Sequence, residues 1–382
     1  MESIQWGDLT PETFLKEYWQ KKPLLIKQAM PNFQGTIEAD ELAGLAMEQE
    51  IESRIIAQNP DNTWHVEHGP FDDFAKFGEN NWTLLVQAVN NWSRDTDQLI
   101  SLFTFIPRWR IDDVMVSFST PNGGVGAHLD QYDVFILQGE GKRRWQVGAP
   151  DSTLETLIPH PDLKQVSEFT PMIDEITEPG DLLYIPPNHP HNGVSIENSV
   201  NYSIGFQAPS NQDLWSAFAD KLIDETLGEQ RFSDADRDVT DSPYQLKAKD
   251  MNQIKSFMLS QLSDEPLFSQ FISQYLTQSH HTLELLIPME AFTTEQVMGF
   301  LEDDEIQFAP VSGIKALVCS TPTSSLVING DSFELSDETS ELGVYLAGSQ
   351  AMTTKKAKSF TSCLKNVQLL TSVLNKGYWY IE

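Results

Sequence analysis

Between residues 113 and 207 the apolar pattern of the chain repeats every second residue, a period that fits strands and excludes a helical core for this segment. Residues 114–119, 134–137, 143–147, 182–185 and 200–206 read as strands. Turn signals bound them: Pro121-Asn122-Gly123-Gly124, Gly139-Glu140-Gly141 and Pro179-Gly180-Asp181. Many short strands joined by tight turns predict a β-sandwich or barrel of the jelly-roll type.

Helical patterns flank this block. Thr10 is placed to cap a helix that Pro11 opens and that carries Phe14, Tyr18 and Trp19 at helical spacing. Lys21-Lys22-Pro23 ends it, and Leu24-Leu25-Ile26 reads as a short strand. Residues 85–105 look mixed or helical, then apolar. After Pro209 the period is helical again: Leu214, Phe218 and Leu222 lie four apart, and 245–262 and 266–277 repeat amphipathic spacing. No chemical motif occurs there, so a helical bundle or dimerisation element is expected. From about 290, Thr294 is expected to cap a helix with Val297, Phe300 and Leu301. Leu326-Val327-Ile328-Asn329-Gly330 predicts a hairpin, because Asn-Gly suits a type I′ turn. A last helix near 366–375 stops at Gly377. Helices around a small hairpin resemble a winged-helix module. The expected organisation is α+β: 1–209 catalytic with N-terminal helical elements, 210–288 a helical dimerisation domain, and 289–382 a winged-helix-like domain.

Charge narrows the partners. Of 382 residues, 56 are acidic and 25 basic, a formal charge of −31. Such a field repels phosphate backbones and attracts a basic protein. Residues 290–382 hold 6 bases and 12 acids, so DNA reading is not expected of the terminal module. Met1 to Asp8 has neither a basic nor an apolar signal region, and no stretch reaches the roughly 18–20 apolar residues of a membrane helix. Cys319 and Cys363 stand alone, leaving no disulfide framework and no cysteine metal site. The expectation is a cytoplasmic protein with no membrane association.

His128-Leu129-Asp130 places a histidine and a carboxylate two apart, on one side of an extended backbone. A distant histidine would complete a two-His-one-carboxylate triad with open positions for Fe(II) oxygen chemistry. The pair alone is weak, since with eight histidines roughly one accidental H-x-D is expected. One decoy exists. His160-Pro161-Asp162 lies in a proline-flanked stretch expected to be loop, whereas His128 follows a Gly-rich turn between two strands. The third ligand should come from Asn188-His189-Pro190-His191-Asn192-Gly193, where His189 and His191 share parity and periodicity does not choose between them.

Parity gives a second clue. Arg143, Trp145 and Val147 share one face and Arg144 and Gln146 the other, so Arg143 points to the apolar side, where a guanidinium needs an anion. Along 200–206 the apolar face is Val200, Tyr202, Ile204 and Phe206, while Asn201, Ser203 and Gly205 face the other way. Ser117 and Ser119 behave alike. Small polar residues facing inward line a cavity, here one suited to a small iron-chelating dicarboxylate. Asp112 and Asp113 precede it and read as solvated.

The runs Gly126-Ala127-His128-Leu129-Asp130-Gln131-Tyr132-Asp133-Val134-Phe135, Lys142-Arg143-Arg144-Trp145, Gly180 to Pro187 and Pro190-His191-Asn192-Gly193 resemble the JmjC-type 2-oxoglutarate oxygenases. They are most similar to the bacterial ribosomal oxygenases that hydroxylate an arginine of large-subunit ribosomal protein sixteen. Phe14-Leu15, Tyr18-Trp19 and Lys22-Pro23-Leu24-Leu25 resemble the start of that family. The resemblance implies a double-stranded β-helix, the cupin-like jelly-roll. It implies Fe(II) on His128, Asp130 and His191, and 2-oxoglutarate as cosubstrate with its far carboxylate on Arg143. Asn201 matches a cosubstrate-contacting asparagine; Ser203, Ser117 and Ser119 are added as cosubstrate-binding candidates from parity alone. The implied reaction is hydroxylation of the β-carbon (C3) of an arginine in a basic ribosomal protein, coupled to decarboxylation of 2-oxoglutarate to succinate and CO2. The helical block implies a homodimer. Alternatives are a histidyl hydroxylase or N-methyl-lysine demethylase of the same fold, a non-catalytic cupin scaffold, and a zinc or manganese cupin isomerase, which would want more histidine ligands.

Overall fold

In the computed structural model, which describes residues 3–320 and 323–382, the period-two segments form two antiparallel sheets. Met1, Glu2, Thr321 and Pro322 lie outside the described residues. In chain order the strands are β1 (Leu24–Ile26), β2 (Ser53–Gln58), β3 (Trp64–His68), β4 (Trp82–Val86), β5 (Ile111–Ser119), β6 (Val134–Glu140) and β7 (Arg143–Gly148). They continue with β8 (Thr156–His160), β9 (Leu163–Val166), β10 (Pro171–Thr177), β11 (Leu182–Ile185), β12 (His191–Ser195) and β13 (Ser199–Phe206). The large sheet has eight strands in the order β1-β11-β6-β13-β5-β4-β2-β3, the small one three in the order β10-β7-β12, and β8 and β9 pair as a separate hairpin. Every expected strand of 113–207 is present. The strands β2, β3, β4, β10 and β12 and the β8–β9 hairpin are additions, because their residues carry no clean alternation.

Alternation along each strand sorts its side chains between two cores. On β13, Val200, Tyr202, Ile204 and Phe206 join Val114, Val116, Phe135, Leu137 and Tyr184 in the outer core. Helix α1 (Pro11–Glu17) packs there, begun as expected by the Thr10 hydroxyl, which accepts from the amide of Thr13 at 3.2 Å. Phe14 is fully buried, its ring 4.8 Å from that of Tyr184 and 5.3 Å from those of Trp6 and Phe135. The outer core also holds a buried charge, Asp133, whose carboxylate accepts from the Tyr184 hydroxyl (2.6 Å), Gln20 Nε2 (2.9 Å) and Arg110 Nη2 (3.2 Å). Between the two sheets Val134, Ile136, Leu183 and Ile185 pack against Trp145 and Val147 and close one part of the lumen.

The chain forms two compact units. The first runs to Ala208 and includes Ser279–Leu286 and Val311–Ile314. The second contains helices Asn211–Asp224, Ala248–Leu259 and Glu265–Thr277, with the Phe218 and Phe271 rings 5.0 Å apart. Helix Thr294–Leu301 is capped by Thr293 rather than by the expected Thr294: the Thr293 hydroxyl accepts from the amide of Gln296, which returns its side chain to the amide of Thr293. This reciprocal pair needs a glutamine three residues after the cap, and only Thr293 has one. Ser325–Ile328 and Asp331–Glu334 form the expected hairpin, with Asn329 at φ +46 and Gly330 at φ +87 as a type I′ turn demands. The last helix is Leu364–Asn375.

Phe14→Ala removes a fully buried ring from the junction of α1 and the large sheet. A loss of about 3–5 kcal/mol in unfolding free energy is expected by chemical denaturation.

Candidate metal centre

The residues of the H-x-D motif leave the turn after β5 and meet the start of β12. The amide of His128 donates to the carbonyl of His191 and the amide of His191 to that of His128, both at 3.0 Å. The amide of Asn188 donates to the Asp130 carbonyl at 2.8 Å. These three backbone bonds clamp two segments some sixty residues apart in sequence, so that His128, Asp130 and His191 each offer a ligand atom within 4.8 Å of the others. Among the described residues this is the one such cluster.

The imidazoles are oriented for coordination. Nδ1 of His128 lies 2.9 Å from the Gly126 carbonyl, and Nδ1 of His191 lies 2.9 Å from the His189 carbonyl. A ring that donates from Nδ1 keeps the lone pair on Nε2. Those Nε2 atoms face Asp130 Oδ2 at 4.0 Å and 3.5 Å. Burial, reinforced by neighbouring His191, brings His128 down to about 4, so it stays neutral at physiological pH. Burial works to raise the Asp130 carboxyl, but the two histidines facing it, His191 first, outweigh burial and hold it below the ordinary range. Two imidazole nitrogens and a carboxylate are the donor set that suits Fe(II).

His189 lies outside the cluster. Strand β12 begins at His191, so parity does not extend back through Pro190; the His189 ring makes the same kind of bond, Nδ1 to the Pro187 carbonyl at 3.1 Å, without joining the other three groups. The decoy His160 ends β8 rather than lying in a loop, as expected from its prolines; β8 pairs β9 across it. Asp162 sits at the surface 3.7 Å from His160 and 3.4 Å from His68, but the three do not bring their ligand atoms within 4.8 Å of one another.

Arg143 is 4% exposed, and its Nη1 donates to Asn201 Oδ1 at 3.2 Å. Its buried Nε has no hydrogen-bond partner, and no carboxylate among the described residues pairs with it. Burial alone lowers it to about 10. The Trp145 ring lies 5.2 Å from the guanidinium carbon. Asn201 is locked by donating from Nδ2 to Gln138 Oε1 at 2.8 Å, and the same oxygen accepts from the Thr177 hydroxyl at 2.7 Å. Ser117 is buried and pairs Asn201 in register; Ser203 is half-buried opposite Met115. Ser119 is buried too, but its hydroxyl meets that of Thr83 at 2.9 Å, so it braces the wall between β4 and β5.

Sequence reasoning missed Gln138 and Thr177, which fix Asn201, and Tyr132 and Arg54, which lie within electrostatic reach of Asp130. Burial, then the charges of Asp130 and Asp113, push the Tyr132 phenol up, so it remains a neutral hydroxyl. Asp113, expected in solvent, is half-buried: its carboxylate accepts from the amide of Ala88 at 3.0 Å and lies 3.7 Å from His281 Nε2. Asp112 likewise sits 3.3 Å from His280 Nδ1.

Gly193 follows the third histidine because a Cβ there would stand 2.7 Å from the Trp145 ring. Gly193→Ala is expected to lose about 1–3 kcal/mol of stability by chemical denaturation as Trp145 is displaced.

The JmjC domain family matches residues 98–214. Along its entire length the chain is 40% identical to the ribosomal protein uL16 3-hydroxylase of Escherichia coli, covering 98% of that protein. The X-ray structure of E. coli ycfD superposes with a TM-score of 0.92 at 38% identity, over 100% of both chains. The E. coli ribosomal oxygenase YcfD in complex with cobalt and 2-oxoglutarate superposes at 0.89 and 38% identity, over 100% of this chain and 99% of that one. With full-length identity at this level and a common catalytic domain, the chain belongs to the JmjC-domain ribosomal oxygenases.

Proposed function

We infer that this protein is an Fe(II)- and 2-oxoglutarate-dependent oxygenase that hydroxylates uL16, and we propose the β-carbon (C3) of an arginine as its target. One observation carries the reading: a buried guanidinium that no carboxylate among the described residues pairs with shares a lumen with a His-Asp-His cluster. A buried unpaired cation is costly unless an anion arrives, and a forked donor suits a carboxylate. The residues fit the cosubstrate and the metal on both counts. The relative held in complex with cobalt and 2-oxoglutarate supports the same pair here.

In this reading His128, Asp130 and His191 hold the metal. Arg143 takes the far carboxylate of 2-oxoglutarate, with Asn201 beside it and Ser117 and Ser203 on the same wall; Ser119 supports that wall through Thr83. Bound Fe(II) would supply the redox chemistry that couples decarboxylation of 2-oxoglutarate to hydroxylation of a carbon. The chain's own contribution is orientation and dryness. The Nδ1 bonds keep both imidazoles aimed, burial keeps His128 neutral, and Val147, Ile185 and Trp145 keep water from the inner wall. The net charge of −31 steers a basic ribosomal protein to the mouth, which favours uL16 as a class of partner.

The domain division 1–209, 210–288 and 289–382 remains part of this proposal, with the middle helices forming a homodimer. Ile223 (73% exposed), Met251 (50%) and Met258 (62%) on those helices support it, being large apolar groups left at the surface. A winged-helix-like terminal module and a cytoplasmic location complete it. No helix among the described residues is long and apolar enough to cross a membrane.

Purified protein incubated with Fe(II), 2-oxoglutarate and uL16 should add one oxygen to an arginine, read by peptide mass spectrometry. Gain on a histidine, loss of a methyl group from lysine, or succinate release with no modified peptide would contradict the assignment. His128→Ala and Asp130→Ala should abolish turnover and His160→Ala should not. Raising salt from about 0.05 M to 0.5 M should increase KM for uL16 several-fold, because exposed charges are screened.

A further inference from the structure

A second arginine in the lumen has no partner. Arg54 on β2 is half-buried, its Nε is inaccessible and unbonded, and no hydrogen bond or ion pair joins it to any described residue. Its neighbours show which way it faces. Ile55 belongs to the outer core and Ile56 to the cluster of Leu85, Met115 and Val125 inside, so Arg54 shares the inner face with Ile56.

Register fixes its place relative to the cosubstrate site. Arg54 pairs Leu85, Leu85 pairs Ser117, Ser117 pairs Asn201, and Asn201 pairs Gln138. One row therefore crosses the inner face of the large sheet, with Arg54 near one end and Asn201, the partner of Arg143, three strands away. At ~4.8 Å per strand the two anchor points are separated by roughly 14 Å. The charge of Arg54 nevertheless reaches His128, Asp130 and Tyr132. The metal cluster thus lies within reach of a guanidinium other than Arg143, three strands from the Asn201 that Arg143 bonds and that serves the cosubstrate under the function proposed above.

We propose that Arg54 is a specificity-determining residue that binds main-chain carbonyl oxygens of the substrate polypeptide beside the target residue. Guanidinium offers donors and no acceptor, so its ligand must bring oxygen. The far carboxylate of 2-oxoglutarate is taken by Arg143. The substrate is basic and its side chains are repelled, whereas peptide carbonyls are present in every extended segment. The same repulsion orients the target: a cationic side chain entering the mouth is turned from Arg54 towards Asp113 and Tyr132. Arg54 therefore does two things with one charge, anchoring the backbone and setting the direction of the side chain.

The test uses the full-length protein and rests on the uL16 assay, so wild-type turnover is confirmed first; a wild-type failure there counts against the proposed function and not against Arg54. Arg54→Ala should raise KM for a uL16 peptide spanning the target by roughly 10- to 100-fold, the range for a lost hydrogen bond to a charged group. Arg54→Lys should recover part of the loss. The dissociation constant for 2-oxoglutarate, read by tryptophan quenching with Co(II) present, should change less than twofold in both variants. An unchanged peptide KM, or a rise confined to 2-oxoglutarate or Co(II) binding, overturns the proposal. Thermal melts of both variants give the folding control, and if Arg54→Ala does not fold, Arg54→Lys decides the matter by the same two readouts.

Discussion

A buried guanidinium without a counter-ion among the described residues is the constraint to which much of this structure answers. Arg143 could be neutralised by any acid on the facing strands, yet those strands present Asn201, Gln138, Thr177 and Ser117 instead. Each can solvate a cation or its ligand without cancelling its charge. Neutral hydrogen-bonding groups around an unpaired charge describe a site prepared for an anion that the protein does not itself contain. The same logic explains the distribution of acids. The chain carries an excess of them, but the buried carboxylates are committed elsewhere: Asp133 to Tyr184, Gln20 and Arg110, and Asp181 to Lys27 and the amide of Gln28, while the half-buried Asp130 faces the histidine pair.

Position within the double sheet converts this chemistry into geometry. Both histidines sit where β12 meets the turn after β5, and their main chains bond to one another before any side chain is considered. The metal cluster is therefore built on backbone hydrogen bonds and inherits their rigidity. Trp145 ties the two ends of the site together. Its ring lies beside the Arg143 guanidinium and leaves no room for a side chain at position 193, so Arg143 and the strand carrying His191 pack against one ring.

Much of the fold was legible because alternation and turn chemistry agree on residues 113–207. The five expected strands, the Thr10 cap and the Asn329-Gly330 hairpin all have local causes, and local causes are visible in sequence. The metal pair His128 and Asp130 was legible for the same reason. Periodicity left the third position open between His189 and His191, and the family resemblance pointed to His191; parity assumes a strand, and the strand starts only after Pro190. Asp113 was misjudged since its partners, Ala88 and His281, come from distant chain. Ser119 looked like lumen lining because parity cannot see that Thr83 on another strand takes its hydroxyl. Arg54 was invisible for a related reason: Ser53 to Gln58 has no alternation strong enough to assign a face. Nothing local announces that Ser279–Leu286 and Val311–Ile314 return to the first unit.

The account depends most directly on what meets Arg143. A crystal of the protein grown with Co(II) and 2-oxoglutarate, measured at the cobalt edge, should show one anomalous peak among His128, Asp130 and His191. It should also show a ligand carboxylate at about 2.7–2.9 Å from the Arg143 guanidinium. Cobalt bound at other side chains, or Arg143 satisfied by an acid of its own chain while 2-oxoglutarate lies elsewhere, would contradict it.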